Sequence, residues 1–132
     1  MGMKERGGRM QTEVIPDIRM PTLQAAVKAN VEKGSIVSTD ELASYGLLTD
    51  DGFAHGTVQH GQDEYVFYDE QTGITHHVNS VENFWNLFKA SVRSTHIHVS
   101  AKHMQRYLRE FSFRSNHREH GNLMFDLVVS AL

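Results

Sequence analysis

Apolar residues near the amino terminus recur at spacings that predict a hairpin and then a helix. The segment ERGGRMQTEVI predicts a Gly-Gly turn at residues 7–8 and a strand from about Arg9 to Ile15. The segment PTLQAAVKANVEKG predicts a helix with Pro21 in its first turn and Gly34 at its end. The apolar face of this helix comprises Leu23, Ala26, Val27 and Val31.

The pattern then changes from short strands to long helices. The predicted elements are, in order, a β-branched strand at 35–39 that suits a buried sheet, a short helix at 41–48, a strand at 53–60, a polar and turn-rich stretch at 61–76 with EYVFY as a candidate strand, and helices near 80–94, 100–113 and 122–131. This order predicts one α/β domain with a mixed sheet over residues 1–132.

The helix predicted near 80–94 has two distinct sides. Its apolar side comprises Val81, Phe84, Trp85, Phe88 and Val92, and its flanking polar stripe comprises Glu82, Asn86, Lys89 and Arg93. Glu82 and Lys89 are seven residues apart, so their side chains point the same way, about 10 Å apart along the axis. That spacing is too wide for a good ion pair, but it suits a metal beside a phosphate.

Glu82 has two compatible interpretations. With Asn79 as the N-cap, Glu82 stands at the third helical position and completes a capping box. Alternatively, Glu82 is a metal ligand. A carboxylate that caps the helix without metal can turn to a cation when one binds.

Asp40 follows the predicted buried strand, at the carboxyl end where open α/β sheets place their ligand sites. Its alternative role is to cap a helix beginning at Glu41. Hard divalent cations such as Mg²⁺ are held by one or two carboxylates together with substrate phosphate oxygens. Asp40 and Glu82 could therefore converge on such an ion.

Composition limits the remaining possibilities. The chain has 132 residues, 39% of them hydrophobic and 22% charged, which is typical of a small globular domain. It has no apolar run long enough to span a membrane and no secretory signal. The absence of cysteine excludes disulfides and thiolate zinc sites, and it suits an intracellular protein. The nine histidines, including His96 and His98, match no known zinc spacing, so phosphate contacts or surface positions are expected for them.

Charge is distributed unevenly along the chain. Residues 32–70 contain nine acids and one base, Lys33, whereas residues 89–118 contain seven bases and one acid, Glu110. The seven bases are Lys89, Arg93, Lys102, Arg106, Arg109, Arg114 and Arg118. We expect Met104, Tyr107, Leu108 and Phe111 to face inward and leave the bases outside. The basic block either binds a polyanion by releasing counterions or is an ordinary solvated surface.

Three segments together resemble the catalytic domain of bacterial insertion-sequence transposases of the DDE superfamily. They are MKERGGRMQTEVIPDIRMPTLQ, STDELASYGLL and VNSVENFWNLFKASVRSTHIHVSAKHMQRYLREFSFRSN. The specific part is Asn-x-x-Glu-x-Phe-Trp-x-x-x-Lys followed by His-x-x-x-Lys-His-x-x-x-Tyr-x-x-Glu-Phe. The resemblance covers nearly the whole chain, and it is to the subgroup with a lysine seven residues after the glutamate.

This resemblance implies a ribonuclease-H-like, integrase-type mixed sheet flanked by helices. It implies two divalent metals, Mg²⁺ or Mn²⁺, held by three acids, with Asp40 as the second acid and Glu82 as the third. Lys89 corresponds to the lysine that holds a DNA phosphate, and Arg93, Lys102 and Arg106 are the further expected DNA contacts. The implied reaction is metal-dependent cleavage and transfer of DNA strands. The implied partners are insertion-sequence ends, target DNA and other transposase copies, in a cytoplasmic, nucleoid-associated protein without membrane contact.

One departure from the family pattern changes the expected activity. In the family the first catalytic Asp lies on a strand before the hairpin, so the chain is expected to be the carboxyl-terminal part of a transposase that lacks the first strand and is inactive alone. A truncated or decayed gene, or a mis-assigned start, would account for this. The alternatives are a non-catalytic fragment that regulates by binding DNA or full-length transposase, and an unrelated metal-dependent nuclease of the same fold.

Overall fold

The computed structural model describes residues 1–40, 52–58, 66–95 and 99–130, which form a mixed α/β structure. Its elements are β1 (Gly2–Lys4), β2 (Met10–Thr12), α1 (Met20–Asn30), β3 (Ile36–Thr39), β4 (Ala54–Thr57), β5 (Phe67–Asp69), β6 (Ile74–His76), α2 (Asn79–Thr95), α3 (Met104–Asn116) and α4 (Met124–Ser130). Short 3-10 turns precede α3 and α4. The predicted α/β class is confirmed, whereas the helix predicted at 41–48 lies outside the described residues. None of the described helices is long and apolar enough to cross a membrane.

The described strands form three pairs, of which one is parallel. β1 and β2 pair antiparallel, with Met3 opposite Gln11. β3 and β4 pair parallel, with Ser38 opposite Gly56. β5 and β6 form a second antiparallel hairpin around a turn that ends at Gly73. These pairs are three separate two-stranded sheets, so the described residues show both kinds of pairing but not the one mixed sheet that the sequence predicted.

The chain divides into two compact units. The first, which we call the helical unit, comprises residues 1–14 and 81–132. The second, the strand unit, comprises residues 15–80. The candidate carboxylates are divided between the units, with Asp40 in the strand unit and Glu82 in the helical unit.

The predicted amino-terminal hairpin is confirmed in the helical unit. Gly7 has a φ of 70°, a left-handed conformation that a residue without a side chain adopts readily. The amide of Glu5 donates to the carbonyl of Arg9 at 3.0 Å, and the amide of Gly8 donates to the carbonyl of Glu5 at 3.0 Å. The second strand, Met10–Thr12, is shorter than predicted, although Glu13 still pairs with Met1 through the main chain.

The edge of β2 that faces away from β1 is hydrogen bonded by side chains of α3. The Met10 amide donates to Oδ1 of Asn116 at 2.7 Å, and Nδ2 of Asn116 donates to the Met10 carbonyl at 3.0 Å. Gln105 does the same further along, since Nε2 donates to the Thr12 carbonyl at 3.1 Å and Oε1 accepts from the Val14 amide at 2.8 Å. Two amide side chains thus occupy the positions of a neighbouring strand.

Aromatic rings form the core between α2 and α3. Phe84 and Phe88 are buried, and each meets the ring of Phe111 edge to face, with centroids 5.3 and 5.4 Å apart. Such contacts add to the free energy of burying the rings themselves. Leu108 is also buried. The predicted inward faces of α2 and α3 are confirmed by these contacts.

Two predictions for the strand unit need correction. Helix α1 ends at Asn30 instead of Gly34, because Val31 adopts an extended conformation (φ −117°, ψ 130°) that suits a β-branched residue. In β3, Ile36 is 53% exposed, so only the Thr39 end of this strand is buried as predicted. The pattern also missed β6, since ITH lies in a stretch with few apolar residues.

Candidate functional site

Helix α2 separates its aromatic residues from its polar stripe as predicted. Phe84 and Phe88 are buried. The four members of the stripe, Glu82, Asn86, Lys89 and Arg93, are all exposed. This helix therefore presents a carboxylate and two cations to solvent along one line, while its other side anchors it in the helical unit.

Glu82 lies in the first turn of α2, where the positive end of the helix dipole favours a carboxylate. The helix is assigned from Asn79, which makes Glu82 its fourth residue. The capping role of Glu82 stays a prediction.

Asp40 is the residue that follows β3, and it is exposed. The parallel pairing continues up to it, because the Val58 amide donates to the Thr39 carbonyl at 2.9 Å. Asp40 thus follows directly on a hydrogen-bonded strand end. The alternative role of Asp40 was to cap a helix beginning at Glu41, and that helix falls outside the described residues.

The described residues include no cluster of three or more histidine, aspartate or glutamate side chains able to hold a metal ion. Asp40 and Glu82 belong to different compact units, and their convergence in one cleft stays a prediction. Each contributes one carboxylate with hard oxygen donors, which are the ligands that Mg²⁺ and Mn²⁺ accept. The donor chemistry of the two residues therefore fits a divalent cation.

Two histidines that the sequence did not single out contact the end of β3. Nδ1 of His76 lies 2.8 Å from Oγ of Ser38, and Nε2 of His55 lies 2.8 Å from Oγ1 of Thr39. His76 is only 2% exposed, so the expectation of a surface or phosphate-binding histidine was wrong for this residue. The available signal was Gly56 within a strand, since such a glycine often marks the close approach of another group.

The pKa of His55 lies below its ordinary value of 6.5. The main cause is burial, which penalises the charged imidazolium, and the second is repulsion from His76. His55 is therefore neutral at physiological pH.

The basic block of the helical unit is exposed along its described length. The described bases that are exposed are Lys89, Arg93, Lys102, Arg106, Arg109, Arg114 and Arg118. Arg114 forms an ion pair with Glu110 at 2.5 Å. His96 and His98 lie outside the described residues. The helical unit thus carries a set of cations in solvent, as a nucleic-acid-binding surface requires.

Comparison with known proteins identifies the family. The sequence model of the ISXO2-like transposase domain matches residues 1–116. A protein of Haemophilus influenzae, described as an uncharacterized transposase-like protein, is 28% identical over 111 residues, or 84% of each chain. No solved structure matches. The predicted relationship to insertion-sequence transposases is confirmed, and DNA is the partner that it implies. The chain belongs to the ISXO2-like transposase domain family.

Proposed function

We propose that this chain is a DDE-type catalytic domain for DNA transposition, with a ribonuclease-H-like arrangement of its strands and helices. The observation that carries the proposal is the exposed stripe on α2, where Glu82 and Lys89 stand seven residues apart on a helix anchored by buried rings. A rigid helix gives both charged groups fixed starting points.

The metal-binding role falls to Asp40 and Glu82. Both are exposed carboxylates at the ends of regular elements, one after β3 and one in the first turn of α2. A divalent cation bound there would stabilise the negative charge on the attacking and leaving oxygens during strand cleavage and transfer. Asp40 and Glu82 would supply the carboxylate ligands, and the elements that carry them would orient these carboxylates.

Lys89 would bind a DNA phosphate next to the metal. Lys89 lies two helical turns after Glu82, about 10 Å further along the helix axis. At that distance its ammonium would contact a phosphate that neighbours the one at the metal. An ammonium suits this role because it acts as a compact charge with three donors. Arg93, one turn beyond, would extend the same backbone contact.

Lys102 and Arg106 would hold the DNA further from the reacting phosphate. Both are exposed: Lys102 lies in the 3-10 turn before α3, and Arg106 lies four residues later, in the first turn of α3. Contacts of this kind position a duplex without reading its sequence. Recognition of specific insertion-sequence ends is not assigned to these residues.

The direct test is binding of Mn²⁺, which replaces Mg²⁺ and broadens nearby resonances in NMR spectra. We expect one Mn²⁺ site to broaden signals around both Asp40 and Glu82. Asp40→Asn and Glu82→Gln should each weaken Mn²⁺ binding at least about tenfold, since each removes a charged ligand. Glu32→Gln and Glu119→Gln, which alter exposed acids of the two units, are the matched controls.

The result separates the proposal from its alternative. Mn²⁺ binding that is indifferent to both substitutions would overturn the metal-dependent role. Retained DNA binding in that case would favour a non-catalytic regulator that binds DNA or full-length transposase. Separate Mn²⁺ sites at Asp40 and Glu82 would contradict their convergence.

A further inference from the structure

The last two residues of β3 are each held by a histidine, from opposite faces of the strand. Ser38 and Thr39 are adjacent, so their side chains point to opposite faces. Ser38 is hydrogen bonded to His76, and Thr39 is hydrogen bonded to His55. Asp40 is the next residue. Whatever fixes these two side chains therefore limits the motion of the Asp40 backbone.

The hydrogen bonds on the Thr39 face form a directed chain. Oγ1 of Thr39 donates to the main-chain carbonyl of Asp40 at 3.1 Å. A hydroxyl has one proton to donate, so Nε2 of His55 must be the donor to Thr39 Oγ1. His55 thereby holds the threonine hydroxyl in the orientation that fixes the Asp40 carbonyl.

The ring of His76 packs against two strands on the Ser38 face of β3. A Cβ at Gly56 would overlap atoms Cε1 and Nε2 of this ring, so the ring rests directly on the glycine backbone. Phe67 stacks against His76 with ring centroids 6.0 Å apart. Because the ring contacts both β4 and β5, the bond from Nδ1 to Ser38 ties β3 to these two strands.

We propose that His55 and His76 are positioning residues that fix the end of β3 and thereby direct the Asp40 carboxylate towards a divalent cation. This role rests on the proposed function, since it assigns Asp40 to the metal. Hydrogen-bonded groups behind the direct ligands set the direction of those ligands and contribute strongly to metal affinity. Neither histidine needs to contact the metal or the DNA.

Substitutions of Thr39 test the chain of hydrogen bonds at its centre. Thr39→Val keeps the shape of the side chain but removes the hydroxyl, whereas Thr39→Ser keeps the hydroxyl. Thr57→Val removes a hydroxyl from the facing position on β4 and is the matched control. We expect Thr39→Val to weaken Mn²⁺ binding about 10- to 100-fold, with Thr39→Ser and Thr57→Val close to the parent.

Substitutions of His55 test the donor. Gln can place an amide N–H near the position of Nε2, whereas Phe fills the space without a donor. We expect His55→Phe to weaken Mn²⁺ binding as Thr39→Val does, and His55→Gln to restore most of it. Equal losses in His55→Phe and His55→Gln would mean that the ring only fills space, and would overturn the positioning role.

A second measurement needs no metal and keeps this inference separate from the proposed function. In the metal-free chain, the backbone ¹⁵N order parameter of Asp40 reports its mobility, and its ¹³C carbonyl shift reports the hydrogen bond from Thr39. We expect Thr39→Val and His55→Phe to lower the Asp40 order parameter, with Thr57→Val unchanged. An unchanged Asp40 in both variants would overturn the inference even if Mn²⁺ binds as proposed. If both variants lower the Asp40 order parameter but Asp40→Asn leaves Mn²⁺ binding unchanged, the metal role is overturned and the role of the histidines in fixing Asp40 is established.

Discussion

The two compact units hold a strand edge and a strand end by different chemistry. In the helical unit, Asn116 and Gln105 bind the main chain of β2 through uncharged amides. In the strand unit, His55 and His76 bind the end of β3 through imidazoles. An amide keeps one protonation state across physiological pH, whereas an imidazole has two. The first arrangement should therefore be indifferent to pH and the second sensitive to it.

The units also differ in the charge that they expose. The basic block at residues 89–118 lies in the helical unit, whereas the acidic stretch at residues 32–70 lies in the strand unit. A polyanion should therefore bind to one unit and be repelled by the other. This difference also explains why a net charge of −3 does not exclude DNA binding.

Asn116→Ala should have the largest effect, because it removes both hydrogen bonds to the main chain of Met10, a residue only 2% exposed. Leaving two buried polar groups without partners should lower the free energy of unfolding by about 2–4 kcal/mol. Urea denaturation followed by the fluorescence of Trp85, the single tryptophan, measures this in the helical unit. Asn83→Ala, at an exposed position of α2, is the control. If both variants unfold at the same urea concentration, water replaces the Asn116 side chain, and its hydrogen bonds to the edge of β2 do not stabilise the fold.

Gly56→Ala should lower the free energy of unfolding by about 1–3 kcal/mol, because the new methyl group overlaps the His76 ring. Combining it with His76→Ala should recover part of this loss, since the ring is then absent. Gly121→Ala is the control, because a Cβ there meets nothing within 4 Å. Additive losses in the double variant would show that the contact between ring and glycine is not the cause.

The pH dependence of stability distinguishes the two units most directly. The pKa of folded His55 lies below 6.5, so the unfolded chain binds more protons than the folded chain once the pH falls below that value. The contribution of His55 to stability is therefore intact above pH 6.5 and is lost as the pH falls towards the folded pKa. Urea denaturation at several pH values should show a smaller loss in His55→Gln than in the parent.

The control for this titration is Asn83→Ala, which alters an exposed position of α2 and removes no titrating group. It should leave the pH dependence unchanged. Asn116→Ala should lower stability equally at each pH, because no titrating group is removed. A pH dependence that is identical in His55→Gln and the parent would contradict the assignment to His55.

The smallest effect is expected on DNA affinity. Lys89→Ala and Arg106→Ala should each reduce the slope of log K against log salt by about one, with little preference among unrelated duplexes. Lys33→Ala, which removes a base from the strand unit, should leave the slope unchanged. Binding isotherms at several salt concentrations measure this. An affinity indifferent to salt, or equal slopes in all variants, would mean that the basic block is only a solvated surface.

Sequence periodicity predicted the elements whose stability is local. The polar and apolar sides of α2 were correct because Phe84 and Phe88 recur at helical spacing, and the hairpin was correct because Gly7 supplies its turn. The family was also predictable, since its motif spans α2 and α3. These features depend on residues close together in the chain.

Contacts between distant residues were not predictable in the same way. His76 reaches Ser38 across 38 positions, and Asn116 reaches Met10 across 106. A polar side chain gives no periodic signal of its partner, so both were read as surface residues or were not singled out. The convergence of Asp40 and Glu82 stays a prediction.

The amides that cover β2 also affect how separate copies of the protein meet. An uncovered strand edge offers a row of donors and acceptors to which another chain can add a strand, and this starts many aggregates. Here Asn116 and Gln105 already occupy the groups that β2 would offer at Met10, Thr12 and Val14. A copy approaching this edge must first displace α3. Loss of either amide should therefore reduce the yield of non-aggregated protein as well as lower its stability.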